Sequence, residues 1–75
     1  MTEHVKHIVD NLPFNPGIYM MRDENGKIIY VGKAISLRKR VRQYFQKNNK
    51  SARIEKMVSL IRDISYIVTE NEVEA

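Results

Sequence analysis

Gly17-Ile18-Tyr19-Met20-Met21-Arg22 and Ile28-Ile29-Tyr30-Val31, parted by Asp23-Glu24-Asn25-Gly26-Lys27, are the stretch whose reading decides the fold. Both flanks are β-prone, and Asn-Gly between two such runs is a strong hairpin signal. Two registers compete. A two-residue turn at Asn25-Gly26 pairs Glu24 with Lys27, Met21 with Tyr30 and Tyr19 with Gly32. Side chains alternate between faces with a period of two, so Tyr19 and Tyr30 then project together. Ile18, Met20, Ile29 and Val31 form an apolar face behind them, and Gly32 leaves an open spot opposite Tyr19 where a substrate backbone could approach. A three-residue loop, Glu24-Asn25-Gly26 with Gly26 in a bulge, shifts the parity and separates the tyrosines. The clean apolar face favours the first register.

Outward from the hairpin the pattern turns helical. Upstream, Val5, Ile8, Val9 and Leu12 fall at i, i+3, i+4 and i+7, which predicts a helix ending before Pro13. Downstream, Ser36 is a candidate cap for a helix carrying Leu37, Val41, Tyr44 and Phe45 on one side. Lys47 to Lys50 reads as a looser segment, and Ser51 as a second cap, for a helix bearing Ile54, Met57, Val58 and Ile61. Ile64 to Thr69 alternates as a third strand. The expected order is α-β-β-α-α-β in one α+β domain over residues 1–75, with connections that suit a small antiparallel sheet.

A 75-residue chain without cysteine has neither disulfides nor a thiolate metal site to hold it together. Met1 to Asp10 holds no continuous apolar run, so a secretory signal is not expected; no stretch reaches transmembrane length, and the cytoplasm is the default location. Thirteen lysines and arginines against nine acids leave a charge of +4. Lys33, Arg38, Lys39, Arg40, Arg42, Lys47, Lys50 and Arg53 follow one another with no acid between them. So one-sided a segment implies an anionic partner, nucleic acid first, with a solvated helix face as the plain alternative.

Tyr19 and Tyr30 on one strand face are suggestive, although tyrosine is a common strand residue. Lys33 leaves the end of the second strand, and Arg40 and Tyr44 lie one helical turn apart. A phenol is only about 0.1% ionised at neutral pH, so one acting as a general base needs a nearby cation. Lys33 and Arg40 can supply the charge, and Arg40 can clamp a phosphate. His4 and His7 have a metal-compatible spacing but no third ligand close by. Glu70, Glu72 and Glu74 read as a solvated acidic end rather than a cation site.

Leu12-Pro13, Pro16-Gly17-Ile18-Tyr19, Ile29-Tyr30-Val31-Gly32-Lys33-Ala34, Leu37, Arg40-Val41, Tyr44-Phe45, Ile67-Val68-Thr69 and Glu74-Ala75 together resemble the signature of the GIY-YIG endonucleases. The resemblance is closest to the UvrC-type branch that serves nucleotide excision repair. It implies a three-stranded antiparallel sheet flanked by helices, and DNA strand cleavage dependent on Mg²⁺ or Mn²⁺. In that branch the domain incises on the 3′ side of a lesion, acting with UvrB. Carried over position by position, Tyr30 is the expected general base and Lys33 the group that keeps its phenol acidic. Arg40 is expected to stabilise charge on the phosphate, and Tyr19 and Tyr44 to position water and phosphate. Lys33, Arg38, Arg40 and Arg42 are the expected DNA contacts. Val31 stands where the family has isoleucine.

In the family a metal-binding glutamate follows the pair matched by Glu74-Ala75 after several residues, with an asparagine further on. Both positions would fall beyond Ala75. On that reading the domain is truncated on its C-terminal side and no metal ligand is assigned among these residues, Glu74 included. The parent protein is expected to cut DNA and the 75 residues alone are not. The alternative is a non-catalytic basic DNA-binding module on the same fold; an RNA-processing role rests on charge alone.

Overall fold

A computed structural model describes residues 1–46 and 51–70, so the expectations for Lys47 to Lys50 and for Glu72, Glu74 and Ala75 lie outside the described residues. The order is α1 (Glu3–Asp10), β1 (Gly17–Arg22), β2 (Ile28–Ala34), α2 (Leu37–Tyr44), α3 (Ala52–Leu60) and β3 (Asp63–Val68), as the patterning predicts. The three strands form one antiparallel sheet in the order β2-β1-β3, with β1 in the centre.

Local chemistry accounts for the element ends. Thr2 accepts a hydrogen bond from the Val5 N–H at 3.2 Å, and Ser51 does the same for Ile54 at 3.2 Å, so both act as side-chain caps. Ser36 behaves differently. It sits at the cap position of α2 without bonding a helix N–H, and its buried hydroxyl has no hydrogen-bond partner among the described residues. The first turn of α2 is held from outside instead: the Leu37 and Arg38 N–H groups donate to the Asn15 and Pro13 carbonyls at 2.9 and 3.0 Å. The rigid Pro13 to Pro16 segment therefore positions α2 directly.

The hairpin combines the two registers. At the turn, Gly26 has a φ of +78° and its N–H donates to the Asp23 carbonyl at 3.0 Å. The Asp23 N–H donates to Lys27 at 3.0 Å, and the Asp23 carboxylate accepts from the Asn25 and Lys27 N–H groups at 2.9 and 3.0 Å. This is the three-residue loop with glycine in the left-handed conformation. Further along, Arg22 faces Ile28 while Met21 faces Tyr30, so Ile29 is an extra residue and forms a β-bulge. Beyond the bulge the pairing is that of the two-residue turn: Tyr19 opposite Gly32, Met20 opposite Val31. The bulge corrects one expectation, because Ile29 leaves the apolar back face and packs against the core.

That core lies on the tyrosine side of the sheet. Val5, Val9 and Leu12 meet Tyr19, Met21, Leu37, Val41, Ile61 and Ile64 in one buried cluster. Each fully buried aliphatic side chain there contributes about 1.5–3 kcal/mol. The opposite face is more open, with Val31 and Ile67 exposed.

Candidate active site

Three phenols from three elements converge above the core. Tyr19 on β1 is 1% exposed, and its hydroxyl lies 2.9 Å from that of Tyr44, the last residue of α2. Tyr30, one residue beyond the bulge on β2, completes the group with ring centroids 6.2 Å from Tyr19 and 5.9 Å from Tyr44. Only Tyr30 faces solvent substantially, at 36% exposure. Arg40, one turn before Tyr44, holds its guanidinium carbon 5.9 Å from the Tyr44 ring centroid. Tyr30, Arg40, Gln43, Tyr44 and Ile54 line an open cleft of about 340 Å³.

The phenols shape one another's acidity. Tyr30 has its pKa raised above the ordinary phenol value, first through its hydrogen bond with Tyr44; Arg40 opposes this without overcoming it. Tyr44 is raised as well, by burial first and by the Tyr19 hydroxyl second. Arg40 is held more firmly protonated by its hydrogen bond with the Tyr19 phenol. In the free chain, then, Tyr30 is a neutral phenol beside a fixed cation. Its deprotonation would need further positive charge nearby.

The other expected residues divide. Lys33 faces Ile18 in the sheet register and so leaves β2 on the side opposite Tyr19 and Tyr30, yet it shares with Arg40 an adjoining cleft. It is not among the influences on Tyr30's acidity, which come from Tyr44, burial and Arg40. Arg38 is engaged elsewhere: its Nε donates to the Leu12 carbonyl at 2.7 Å and its guanidinium lies 4.4 Å from the Phe14 ring centroid. Arg42 turns toward α1 and reaches the Asp10 carboxylate at 3.5 Å. Lys39, noted in the sequence only as a member of the basic run, and Gln43, which sequence reasoning passed over, line the adjoining cleft with Lys33 and Arg40. Helical spacing could have found Gln43, at i+3 from Arg40 and i+4 from Lys39. The open spot expected at Gly32 does not exist, because the Tyr19 phenol fills it.

A divalent cation needs oxygen ligands, carboxylates above all. Among the described residues no carboxylate lines either cleft, and no group of three or more His, Cys, Asp or Glu could hold a metal. His4 pairs instead with Asp63 at 3.0 Å. The described residues do not supply a metal site.

The profile of the UvrC-like GIY-YIG domain matches residues 15–75. This chain belongs to that family. The GIY-YIG domain described here is 62% identical over 65 residues to UvrABC system protein C of Caldicellulosiruptor saccharolyticus, covering 87% of this chain and 11% of that protein. It is 50% identical over 72 residues to the Acetivibrio thermocellus protein of the same name, covering 95% of this chain and 12% of that one. The chain thus spans a small part of the curated relatives' length. Among solved structures, the N-terminal GIY-YIG endonuclease domain of UvrC from Thermotoga maritima, bound to magnesium as its catalytic divalent cation, superposes with a TM-score of 0.85. The sequences are 31% identical, and the match covers 100% of this GIY-YIG domain and 81% of that chain. Tyrosine-to-phenylalanine mutants of the Thermotoga domain have the same fold, with TM-scores of 0.84 and 0.85. No helix among the described residues is long and apolar enough to cross a membrane.

Proposed function

We propose that this domain is the part of an excision-repair endonuclease that hydrolyses a DNA phosphodiester, with Tyr30 as general base. The carrying observation is the asymmetry of the tyrosine cluster. Tyr19 is buried and bonded to the half-buried Tyr44, whereas Tyr30 is the most exposed of the three and lines, with Tyr44 and Arg40, an open cleft. A base must reach a water from solvent, and the exposure of Tyr30 beside the more buried Tyr19 and Tyr44 supports that assignment.

Arg40 faces the same cleft and can place its fork of N–H donors on a phosphate, offsetting the negative charge that builds as water attacks. Tyr19 holds Arg40 and Tyr44 in position from below. Lys33 lines the adjoining cleft with Arg40 and can add positive charge toward the phosphate. The divalent cation named for the Thermotoga domain would lower the barrier as a Lewis acid. Since the described residues offer it no ligand set, its carboxylate comes from elsewhere; the family pattern puts it beyond Ala75. By the same resemblance the cut falls 3′ of a lesion and the partner is UvrB.

Nicking of lesion-bearing DNA by the longer protein carrying this domain tests the reading, with magnesium and UvrB present. Tyr30→Phe should cut at least a hundredfold more slowly while folding normally, because general-base catalysis is worth about 10²–10⁴ in rate. Full activity of that variant would overturn the assignment. The 75 residues alone, given DNA and magnesium, should leave it intact.

A further inference from the structure

We infer that the cleft beside the tyrosine site, between the end of β2 and the first turns of α2, is a second phosphate subsite. It receives the DNA strand's backbone next to the bond being cut, and Lys39 and Gln43 are its specific contacts. The inference rests on the proposed nuclease reading. Lys33, Lys39, Arg40 and Gln43 line the cleft, which holds about 490 Å³ and adjoins the tyrosine cleft through Arg40 and Gln43, common to both. A strand whose phosphate sits at Arg40 therefore has a continuous path into it.

The charges of α2 are sorted by direction. On the α1 side, Arg42 is matched by Asp10, and Arg38 is occupied by Phe14 and the Leu12 carbonyl. On the cleft side three cations stand together, and among the described residues no acid lines the space and neither Lys33 nor Lys39 has a carboxylate partner. Like charges gathered without counter-charge repel one another, and a bound anion relieves that repulsion. Ile35, 73% exposed on the rim, offers an apolar surface suited to a sugar face rather than to a free inorganic ion. Cations, an amide and an apolar rim in a row match a nucleic-acid backbone.

The test is binding of a short labelled DNA duplex to the 75-residue chain, followed by fluorescence anisotropy across a salt series. Three phosphates neutralised by Lys33, Lys39 and Arg40 give a log–log slope of about −3 for the unmodified chain. Lys39→Ala should flatten the slope by about 0.9, which makes binding roughly eightfold weaker at about 0.1 M salt and nearly equal to the parent near 1 M. Gln43→Ala should weaken binding by a constant factor at every salt concentration, since a neutral donor releases no counterion. Lys27→Ala, which removes the same charge at the hairpin turn, should leave the slope unchanged. If Lys39→Ala and Lys27→Ala behave alike, the subsite is overturned while the DNA-binding face stands. If the unmodified chain shows no salt-dependent binding, the nuclease reading falls and the subsite with it.

Discussion

The Tyr19 phenol occupies the place where Gly32 would carry a side chain: a methyl group added at Gly32 would overlap the Tyr19 hydroxyl and the ring carbons beside it. The two residues face each other across β1 and β2. The glycine is thus a requirement of the buried phenol, which in turn reaches Tyr44.

Gly32→Ala should accordingly destabilise the domain by about 1–3 kcal/mol, the usual cost of overfilling a packed site. Urea denaturation of the variant checks this. Combining it with Tyr19→Ala should cost less than the sum of the two single changes, because the methyl group then has room. Strict additivity would show that the two side chains do not compete for space.

The two phenols at the ends of the cluster should respond oppositely to loss of the hydroxyl. Tyr19→Phe leaves the Tyr44 hydroxyl short of a part-buried partner and should lower stability by about 1 kcal/mol. Tyr30→Phe, at the exposed edge, should change stability by less than about 0.5 kcal/mol while stopping the nicking reaction. Thermal unfolding and nicking assays of the two variants distinguish a structural phenol from the proposed base.

Alkaline titration reports the same cluster. Tyr30 and Tyr44 keep their protons above the ordinary phenol value of 10.0. A proton held more tightly when folded than when unfolded favours the fold at all pH values below the unfolded pKa. That advantage disappears as pH rises through the higher folded values. Tyrosinate absorbance should therefore lag behind that of free tyrosine, and the chain should lose stability above about pH 10. In Tyr44→Phe the remaining Tyr30 should titrate earlier, its main raising influence being gone.

The three cap positions make a contrasting set. Thr2→Ala and Ser51→Ala each remove a side-chain bond to a helix N–H and should cost about 1 kcal/mol. Ser36→Ala removes a buried hydroxyl that bonds nothing and should be neutral or slightly stabilising. Chemical denaturation of the three variants distinguishes a cap by sequence from a cap by geometry.

Element order and type were legible because the apolar spacing of Val5-Ile8-Val9-Leu12, the Asn25-Gly26 turn and the Ser51 cap each act locally. What escaped was decided by tertiary packing. An all-apolar strand face reads as the inner one, yet the buried cluster formed on the side of Tyr19 and Met21, where the helices dock. Arg38 and Arg42 read as equal members of a basic run, and only the approach of Phe14, Leu12 and Asp10 set them apart from Lys39. Gly32 looked open because strand pairing gives the neighbour's identity but not where its ring lies. The structure brings Tyr19, Tyr30, Tyr44 and Arg40 together and puts Lys33 in the adjoining cleft; whose side chain is buried and whose is exposed was not in the sequence.

The extra residue at Ile29 has a practical corollary for anyone altering this molecule. It works as a slack link: the reverse turn can keep its own geometry while everything from Tyr30 onward stays in step with β1. A bulge that absorbs one residue can be surrendered to compensate a deletion at the turn, with the tyrosines keeping their side of the sheet. The Glu24–Asn25 tip, exposed and remote from the phenols in the sheet register, is therefore the natural place to graft a reporter peptide or a fluorophore without disturbing the chemistry.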